Sequence, residues 1–260
     1  MNKKVVIITG SASGIGKGIA EKFASKGNDI FLIDINDKVL LETKIELSTN
    51  YPEVSILSLA GDLTSPAFIE EVTSTCRKSF ETINILINCA GVFPSTPALE
   101  ITRDEWNKVF SLNVSALFFL TQSIVKLMIE TGARDANVVN ITSAASEVAR
   151  PGVVHYCSSK AAVKMLTQGL ALELASKNIR VNAVGPGLVE TETLMKTLNT
   201  EKAIAEHREK VSYSPLNRTA KMQEISSVVE FISSPDSSYI TGQNILVDGG
   251  YSAGRVFKNF

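Results

Sequence analysis

The sequence is poor in the features that mark disulfide-bonded, metal-binding or nucleic-acid-binding proteins. Its 260 residues include only three cysteines, an odd number without the spacing of a metal site. They are typical of reduced thiols in a cytoplasmic protein, and we expect no metal site. The net charge is −1, from 26 basic and 27 acidic residues, without a basic or acidic block. This balance argues against nucleic acid or an anionic membrane surface as a partner.

Long hydrophobic runs are also missing. The first ten residues, MNKKVVIITG, reach a glycine after too few apolar residues for a signal peptide. The most apolar later stretch, VSALFFLTQSIVKLMI (114–129), is interrupted by polar residues and Lys126, so we do not expect it to span a bilayer. No linker, internal repeat or low-complexity tract divides the chain. We therefore expect residues 1–260 to form a single domain with a sizeable core.

What the sequence does contain is an alternation of short apolar runs with longer helical patterns. The predicted strands are 5–9, 29–35, 54–62, 83–91, 137–143, 179–187 and 244–250. Because these runs lack clean alternation, we expect helices on both faces of the sheet. The predicted fold class is α/β, with a doubly wound parallel sheet of seven strands. The least regular part, 188–217, is either a solvated charged surface or a lid over a pocket.

The first predicted strand leads directly into TGSASGIGKG (9–18). A strand, a glycine-rich turn and a helix N-terminus can bind a pyrophosphate, because backbone N–H groups and the helix dipole face the anion. Gly10, Gly14 and Gly16 follow the spacing G-x-x-x-G-x-G rather than the commoner G-x-G-x-x-G. Taken alone, the glycines are also compatible with a plain tight turn.

Asp34 ends the second predicted strand. A carboxylate at this place can accept hydrogen bonds from an adenosine ribose and would repel a 2′-phosphate. Ile35 follows it instead of a basic residue, so the pattern favours NAD over NADP. Asp62 and the NCAG segment (88–91) end the next two strands, at the edge of a parallel sheet where ligands bind. Each of these polar residues could instead cap a helix or a turn.

Taken together, these pieces resemble the short-chain dehydrogenase/reductase family over nearly the whole chain. The matching segments are TGSASGIG (9–16), Asp34, GDL (61–63), NCAG (88–91), Asn113, Ser143, YCSSK (156–160), PGLVET (186–191) and DGG (248–250). The family's usual NNAG is NCAG here, with Cys89 in the second place, which puts little in doubt. The basic residues of NADP-preferring members are absent, since Ser13 and Ile35 stand in those places. The resemblance implies a single-domain Rossmann-type fold and an NAD cofactor.

The resemblance also implies a catalytic tetrad of Asn113, Ser143, Tyr156 and Lys160. A free tyrosine, with a pKa of about 10, is a poor base at neutral pH. Lys160 lies one helical turn from Tyr156 on the same face, and its charge favours the phenolate, as an oxidised nicotinamide would. Tyr156 can then act as general base in oxidation and general acid in reduction. Ser143 would hydrogen-bond the substrate oxygen, and by resemblance Asn113 would hold a water of a proton relay.

By the same resemblance, Lys160 would also bind the nicotinamide ribose, and Val189 and Thr191 would meet the nicotinamide carboxamide. The full set of predicted cofactor contacts is Gly10, Ser13, Gly14, Ile15, Gly16, Asp34, Ile35, Asp62, Leu63, Asn88, Ala90, Gly91, Tyr156, Lys160, Pro186, Gly187, Val189 and Thr191.

The segment SAASEVARPGVVHY (143–156) joins Ser143 to Tyr156, so we expect it to line the substrate side. Glu147 and Arg150 suggest a polar substrate, with exposed loop charges as the alternative. Phe93 would form an apolar wall. The predicted substrate contacts are Ser143, Ala145, Glu147, Arg150, Tyr156 and Phe93. Next to Tyr156, His155 is predicted to pack rather than to contact substrate, and Thr102 with Glu105 has capping-box spacing that predicts a helix start.

The predicted function is hydride transfer between NAD(H) and a secondary alcohol or ketone, such as a polyol, sugar, steroid or hydroxy acid. One alternative is an NADP-dependent 3-oxoacyl-carrier-protein reductase, against which Asp34 argues. Another is a non-catalytic nucleotide-sensing module, which would not need an intact tetrad. The tail with Phe257 and Phe260 is either frayed or docked on a neighbouring subunit, and the resemblance implies a homotetramer.

Overall fold

A parallel β-sheet forms the centre of the computed structural model, which describes residues 3–254 except for the side chains of Glu192, Thr193 and Thr197. The tail with Phe257 and Phe260 therefore lies outside the described residues. The strands are β1 (Val5–Thr9), β2 (Asp29–Asp34), β3 (Ile56–Ala60), β4 (Ile85–Asn88), β5 (Asn137–Ile141), β6 (Arg180–Pro186) and β7 (Asn244–Val247). Their order in the sheet is β3-β2-β1-β4-β5-β6-β7, and all pairs are parallel. This confirms the predicted doubly wound sheet of seven strands.

Helices connect the strands and cover both faces of the sheet. They are α1 (Gly14–Ala24), α2 (Asp37–Asn50), α3 (Pro66–Ser79), α4 (Arg103–Phe110), α5 (Leu117–Glu130), α6 (Val154–Leu174), α7 (Glu192–Thr197), α8 (Glu201–Ser212) and α9 (Met222–Ser233). A π-helical segment, Ser111–Ala116, joins α4 to α5, and short 3₁₀ turns lie at Ala144–Ser146, Ala175–Lys177 and Pro235–Ser237.

The core consists of two layers, one on each face of the sheet. Successive strand residues point to opposite faces, so Ile8 and Leu32 pack against α1, α2 and α9, whereas Ile7 and Phe31 pack against α3 and α5. The side chains from both faces are fully buried. This explains why the strand sequences are almost continuously apolar rather than alternating.

Several strands end earlier than their predicted bounds. The stretch 83–91, for example, is a strand only over Ile85–Asn88, and 54–62 only over Ile56–Ala60. The small and polar residues beyond these ends leave the ladder and form loops at the carboxyl edge of the sheet. The chain winds from β1 outward to β3 and then returns to β4 beside β1. Ligands bind in such sheets at the crevice where the winding direction reverses.

A chain of buried polar side chains connects the middle of the sheet to α5 and α6. Asn88 Nδ2 donates to Thr121 Oγ1 at 2.8 Å and to Asn140 Oδ1 at 2.9 Å. Asn140 Nδ2 in turn donates to Thr167 Oγ1 at 2.9 Å. All four residues are almost completely buried. These side-chain hydrogen bonds therefore link β4 and β5 to α6, the helix that carries Tyr156 and Lys160.

Within the described residues, the helical stretch Arg103–Glu130 is long and apolar enough to cross a membrane by length and composition, with a mean hydropathy of 1.6 over its most apolar window. Half of that window is buried inside the protein. Its buried side chains, including Leu120 and Ile124, belong to the core layer that faces α3. A core helix passes the same test of length and composition.

We predict that Asn140→Ala lowers the free energy of unfolding by about 2–3 kcal/mol, because it leaves an amide hydrogen of Asn88 and the Thr167 oxygen without partners inside the core. Urea or guanidinium denaturation measures the change. Asn50→Ala, at the exposed end of α2, is the matched control and should stay within about 0.5 kcal/mol of the parent. Equal effects of the two substitutions would contradict this role of the polar chain.

Candidate active site

The loop between β1 and α1 is built on a close approach of two backbones. Gly10 has φ +65°, and a Cβ on it would lie 2.8 Å from the Cα of Ala90. A Cβ on Gly16 would overlap the carbonyl oxygen of Gly10. Thr9 adds a bridge, since its Oγ1 accepts the backbone N–H groups of Cys89 and Ala90 at 3.0 Å. These contacts require glycine at 10 and 16, and they bring the predicted motifs at 9–16 and 88–91 together.

The N-terminus of α1 has the properties of an anion site. Ser13 is its N-cap residue but makes no capping hydrogen bond with its side chain in the described structure, and the first turn carries no acidic residue. Gly14 has φ +54°, and the nearest atom to a Cβ built on it is Thr191 Cγ2 at 3.9 Å. The segment after β6 therefore faces the glycine turn. This arrangement fits a pyrophosphate, whose charge the exposed N–H groups and the helix dipole would stabilise.

Asp34 lies at the carboxyl end of β2 in a fixed position. Its two oxygens accept the backbone N–H groups of Ala12 and Asn36, each at 3.0 Å. Lys17, the basic residue of the glycine turn, is held by Glu46 at 2.7 Å. The side chain of the following residue, Ile35, is 70% exposed. The sheet edge at the end of β2 thus presents a carboxylate and an apolar side chain.

Other predicted cofactor residues lie along the same sheet edge but differ in what their side chains do. Asp62 accepts the N–H and hydroxyl of Thr64, both at 2.8 Å, and so forms a tight turn after β3. Leu63 and Val189 are buried in the two core layers. The amide nitrogen of Asn88 belongs to the polar chain described above, which makes this side chain a link within the sheet.

Lys160 is a cation buried beside Tyr156. Its Nζ donates to the carbonyl oxygen of Ile141, the last residue of β5, at 2.8 Å. The same atom lies 5.8 Å from the centroid of the Tyr156 ring. Burial lowers the pKa of Lys160 to about 8, and interaction with the Cys89 thiol only partly opposes this shift. The structure therefore brings the predicted pair together on one face of α6.

Tyr156 lines a cavity next to Ser143. Burial raises the pKa of Tyr156 above its ordinary value, and the hydroxyl of Ser143 and the charge of Arg150 act against this rise. Ser143 begins the 3₁₀ turn Ala144–Ser146, where its Oγ accepts the N–H of Ala145 at 3.1 Å. The end of β5 and the start of α6 thus place a hydroxyl and a phenol at one wall of the cavity.

Asn113 occupies the π-helical segment between α4 and α5. Its side chain pairs with both backbone groups of Val92, accepting from the N–H at 2.9 Å and donating to the carbonyl at 3.0 Å. It also donates to Ser159 Oγ at 3.1 Å. Asn113 is fully buried, and π-helical turns are frequent at functional sites. Its side chain ties the loop after β4 to the helix of Tyr156 and Lys160.

The cavity beside Tyr156 has a volume of about 750 Å³. Its walls come from the loops after β4, β5, β6 and β7 and from α8. Of the predicted substrate contacts, the residues that line it are Phe93, Ser143, Ala145, Arg150 and Tyr156. Glu147 instead accepts from Lys164 at 2.8 Å and from Asn244 at 3.0 Å. The structure therefore places Glu147 in contacts between α6 and β7 rather than on the cavity wall.

The segment 188–217 contains α7 and α8 and is closed at its base. Backbone hydrogen bonds join the start of the segment to Ala220, which lies just after its end. The carbonyl of Ala220 accepts the N–H of Glu190, and its N–H donates to the carbonyl of Leu188, each at 2.9 Å. None of the twelve residues of α8 is buried, and Glu206, Glu209 and Lys210 line the cavity. The predicted charged helix is present; its movement as a lid stays a prediction.

Sequence reasoning missed one polar cluster near the site. Glu105 accepts the hydroxyl of Thr96 at 2.6 Å, and His155 Nε2 lies 3.1 Å from the same carboxylate oxygen. The hydrogen bond from Thr96 is the main cause that lowers the pKa of Glu105. Thr102 does cap α4 by accepting the N–H of Glu105, but the Glu105 carboxylate reaches the cluster instead. The sequence pattern around Glu105 predicted only the start of a helix and gave no indication of this cluster.

A family model described as enoyl-(acyl carrier protein) reductase matches residues 10–252. The chain belongs to the short-chain dehydrogenase/reductase family. It is 36% identical over 249 residues to an NAD-dependent glycerol dehydrogenase of Listeria innocua, covering 96% of this chain and 94% of that protein. It is also 36% identical to a 3-oxoacyl-[acyl-carrier-protein] reductase of Thermotoga maritima, covering 95% and 97% of the two chains.

The fold agrees with solved members of this short-chain dehydrogenase/reductase family. The L-sorbose reductase of Gluconobacter frateurii, complexed with NADPH and L-sorbose, has a TM-score of 0.91 and 30% identity, with 98% of each chain covered. The predicted family and Rossmann-type fold are thus confirmed, and the protein is an oxidoreductase of this family. A small-molecule substrate fits such an enzyme.

The buried charge of Lys160 leads to a prediction about stability. Its folded pKa of about 8 is below the ordinary 10.5, so the unfolded chain binds more protons between these pH values. The contribution of Lys160 to the free energy of unfolding should therefore rise with pH, by about 3 kcal/mol across this window.

The measurement compares the parent with Lys160→Met in denaturant series at several pH values. The parent's free energy of unfolding, minus that of Lys160→Met, should increase from pH 8 to pH 10.5. A difference that is constant with pH would show that burial does not lower the pKa of Lys160. Lys177→Met, at an exposed position, should give that constant difference.

Proposed function

We propose that this enzyme transfers a hydride between NAD(H) and a secondary alcohol or its ketone, with Tyr156 as the general acid and base. The observation that carries the proposal is the position of Tyr156 and Ser143 on one cavity wall, with the buried Lys160 ammonium 5.8 Å from the centre of the phenol ring. All three lie at the carboxyl edge of the sheet, as do the glycine turn and Asp34.

The residues present fit a dinucleotide along this edge. The N–H groups at the start of α1 would hold the pyrophosphate, and Asp34 would accept hydrogen bonds from the adenosine ribose. Ile35 would cover one face of the adenine, and Thr191, opposite Gly14, would face the nicotinamide end. When bound, NAD supplies the acceptor for the hydride, which the protein's own side chains do not provide.

Side chains of the protein itself would bind the substrate oxygen and transfer its proton. Ser143 would donate a hydrogen bond to the substrate oxygen and stabilise the charge that develops there. Tyr156 would take the hydroxyl proton during oxidation and return it during reduction. In the protein alone, burial holds the pKa of Tyr156 above its ordinary value. Deprotonation therefore depends on positive charge near the phenol, which Lys160 and Arg150 supply.

Asp34 supports NAD rather than NADP as the cofactor. A 2′-phosphate would lie against a carboxylate that two backbone N–H groups hold in place, and the nearby Lys17 is already paired with Glu46. The glycerol dehydrogenase of Listeria innocua is NAD-dependent, whereas the sorbose reductase was solved with NADPH. The relatives therefore do not indicate one cofactor, and Asp34 is the feature of this chain that favours NAD.

For the substrate, we propose a small alcohol or ketone of the polyol, sugar, steroid or hydroxy acid class. Glycerol and L-sorbose, which the names of two relatives give, are polyhydroxy compounds. The relative from Thermotoga maritima supports reduction of a 3-oxoacyl thioester as a second candidate. A substrate panel should therefore include an oxoacyl thioester with NADPH.

We also propose a homotetramer in the cytoplasm. The three cysteines form no disulfide among the described residues, which supports the location. Large apolar side chains exposed on the faces of α4, α5 and α6 support association with further copies, namely Trp106, Phe119, Met165 and Leu172.

The first test of the proposed function is Tyr156→Phe. The variant keeps the ring but loses the acid/base group, so kcat/KM should fall by about 10²- to 10⁴-fold while NADH still binds. Nicotinamide absorbance with a panel of polyols, sugars, steroids and hydroxy acids measures turnover, and fluorescence titration measures NADH binding. If no compound is turned over although NADH binds tightly, a nucleotide-sensing module becomes the better interpretation.

Cofactor preference gives a second test. Asp34→Ser removes the charge that repels a 2′-phosphate, and the serine hydroxyl can still accept a hydrogen bond from a backbone N–H group. The ratio of kcat/KM for NADP to that for NAD should therefore rise on the order of 100-fold. Asp37→Ser, in the first turn of α2, removes an equal charge from a residue without the Asp34 contacts and should change the ratio little. A parent enzyme that already prefers NADP would contradict the assignment.

A further inference from the structure

Arg150 is a cation on the cavity wall that has no acidic partner among residues 3–254. The nearest acid along the chain, Glu147, is occupied by Lys164 at 2.8 Å. The guanidinium has five N–H donors and no acceptor, so it binds anions and carbonyl oxygens. Its position in the cavity therefore offers unused donors to whatever occupies that space.

None of the carboxylates that line the cavity forms an ion pair with Arg150 in the described structure. Glu224 forms a two-pronged pair with Arg218, with both N–O distances at 2.7 Å. Asp248 accepts backbone N–H groups within its own turn, and Glu209 accepts a tyrosine hydroxyl. Glu206 of α8 makes no hydrogen bond to Arg150 in the described structure.

The guanidinium is also held in place. Arg150 Cζ lies 5.3 Å from the centroid of the Phe93 ring, and that ring meets the Tyr156 ring edge-on at 4.5 Å. Stacking on an aromatic ring occupies one face of a guanidinium and leaves the donors at its edge free. The two distances in series place the guanidinium carbon at most about 10 Å from the centre of the Tyr156 ring.

We propose that Arg150 binds the carboxylate of a substrate whose hydroxyl or keto group lies at Tyr156 and Ser143, so that the enzyme acts on small hydroxy and oxo acids. The proposal rests on the proposed function and narrows its substrate class. A guanidinium edge presents paired N–H groups that match the two oxygens of a carboxylate. Ala145 and Val153, which pack with Tyr156, add apolar surface to the same cavity that suits a carbon chain.

A neutral polyol would leave the guanidinium without a counter-charge in a cavity that is partly shielded from water, which is unfavourable. Lys210 of α8 lines the same cavity and has no acidic partner among the described residues either. Among the described wall residues, the charges without an ionic partner are Arg150 and Lys210 on one side and Glu206, Glu209 and Asp248 on the other.

The test compares acids with their neutral amides: lactate, 3-hydroxybutyrate and 4-hydroxypentanoate against lactamide, 3-hydroxybutyramide and 4-hydroxypentanamide, each with NAD. The parent should prefer the acid in at least one pair. Arg150→Ala should lower kcat/KM for that acid by about 30- to 100-fold more than for the matching amide, whose smaller loss reports the effect of the Arg150 charge on Tyr156. Arg150→Lys should keep part of the preference, since a point charge lacks the paired donors.

Arg134→Ala, which removes an exposed arginine at the start of the loop before β5, is the charge-matched control and should leave both substrates unaffected. If the parent turns over amides or neutral alcohols as well as the acids, or if Arg150→Ala keeps the acid preference, the Arg150 proposal is overturned while the proposed function stands.

If no compound in the panel is turned over, the proposed function fails but Arg150 can still be tested. Butyrate binding to the enzyme–NADH complex is then measured by the change in NADH fluorescence, with butyramide as the neutral control. Binding of butyrate that is lost in Arg150→Ala supports a carboxylate site. Absence of binding, or equal binding in the variant, overturns it.

Discussion

The active site depends on keeping the ammonium group of Lys160 inside the protein. A cation that is only 5% exposed is costly to bury, and the single hydrogen bond to the carbonyl oxygen of Ile141 does not restore all that water would provide. The lowered pKa of Lys160 is the direct sign of this cost. The cost is tolerated because α6 packs firmly against the sheet, and the buried polar chain through Asn88, Asn140 and Thr167 holds the helix and the strand ends in register.

The same constraint shapes the surroundings of the lysine. Asn113 binds both backbone groups of Val92 and reaches Ser159 on α6, so the loop after β4 cannot move independently of that helix. Thr9 binds the N–H groups of Cys89 and Ala90 and connects this loop to the glycine turn. The glycine turn and the Tyr156–Lys160 pair are therefore one connected structure, in which a shift at either end would change the distance between them.

Substrate selection rests on less constrained parts of the chain. α8 buries none of its residues, and the walls of the cavity come from loops after four strands. Such loops vary within a family while the scaffold stays the same, which is why a fold predicts an activity class more readily than a substrate. In this chain the stacked Arg150 is the wall residue with the most specific chemistry, because its guanidinium packs on Phe93 beside Tyr156 and forms no ion pair among the described residues.

The sequence by itself determined the sheet, its order of elements and most of the candidate site. Apolar strands, glycine spacing and the Tyr156–Lys160 interval are local patterns, and local sterics and periodicity are written directly in neighbouring residues. For the same reason the centres of the strands were predictable from the sequence. The strand ends were not, because they depend on where the backbone stops pairing with the neighbouring strand.

Only the tertiary structure decided what the polar side chains contact. Glu105 has the spacing of a helix cap, yet its carboxylate meets Thr96 and His155, and Glu147 binds Lys164 and Asn244 rather than the cavity. A long side chain finds its partner across a gap that sequence spacing does not encode, because the partner belongs to another element packed against it. The choice of contacts by these charged residues, and with it the free charge of Arg150, follows from packing and not from local sequence.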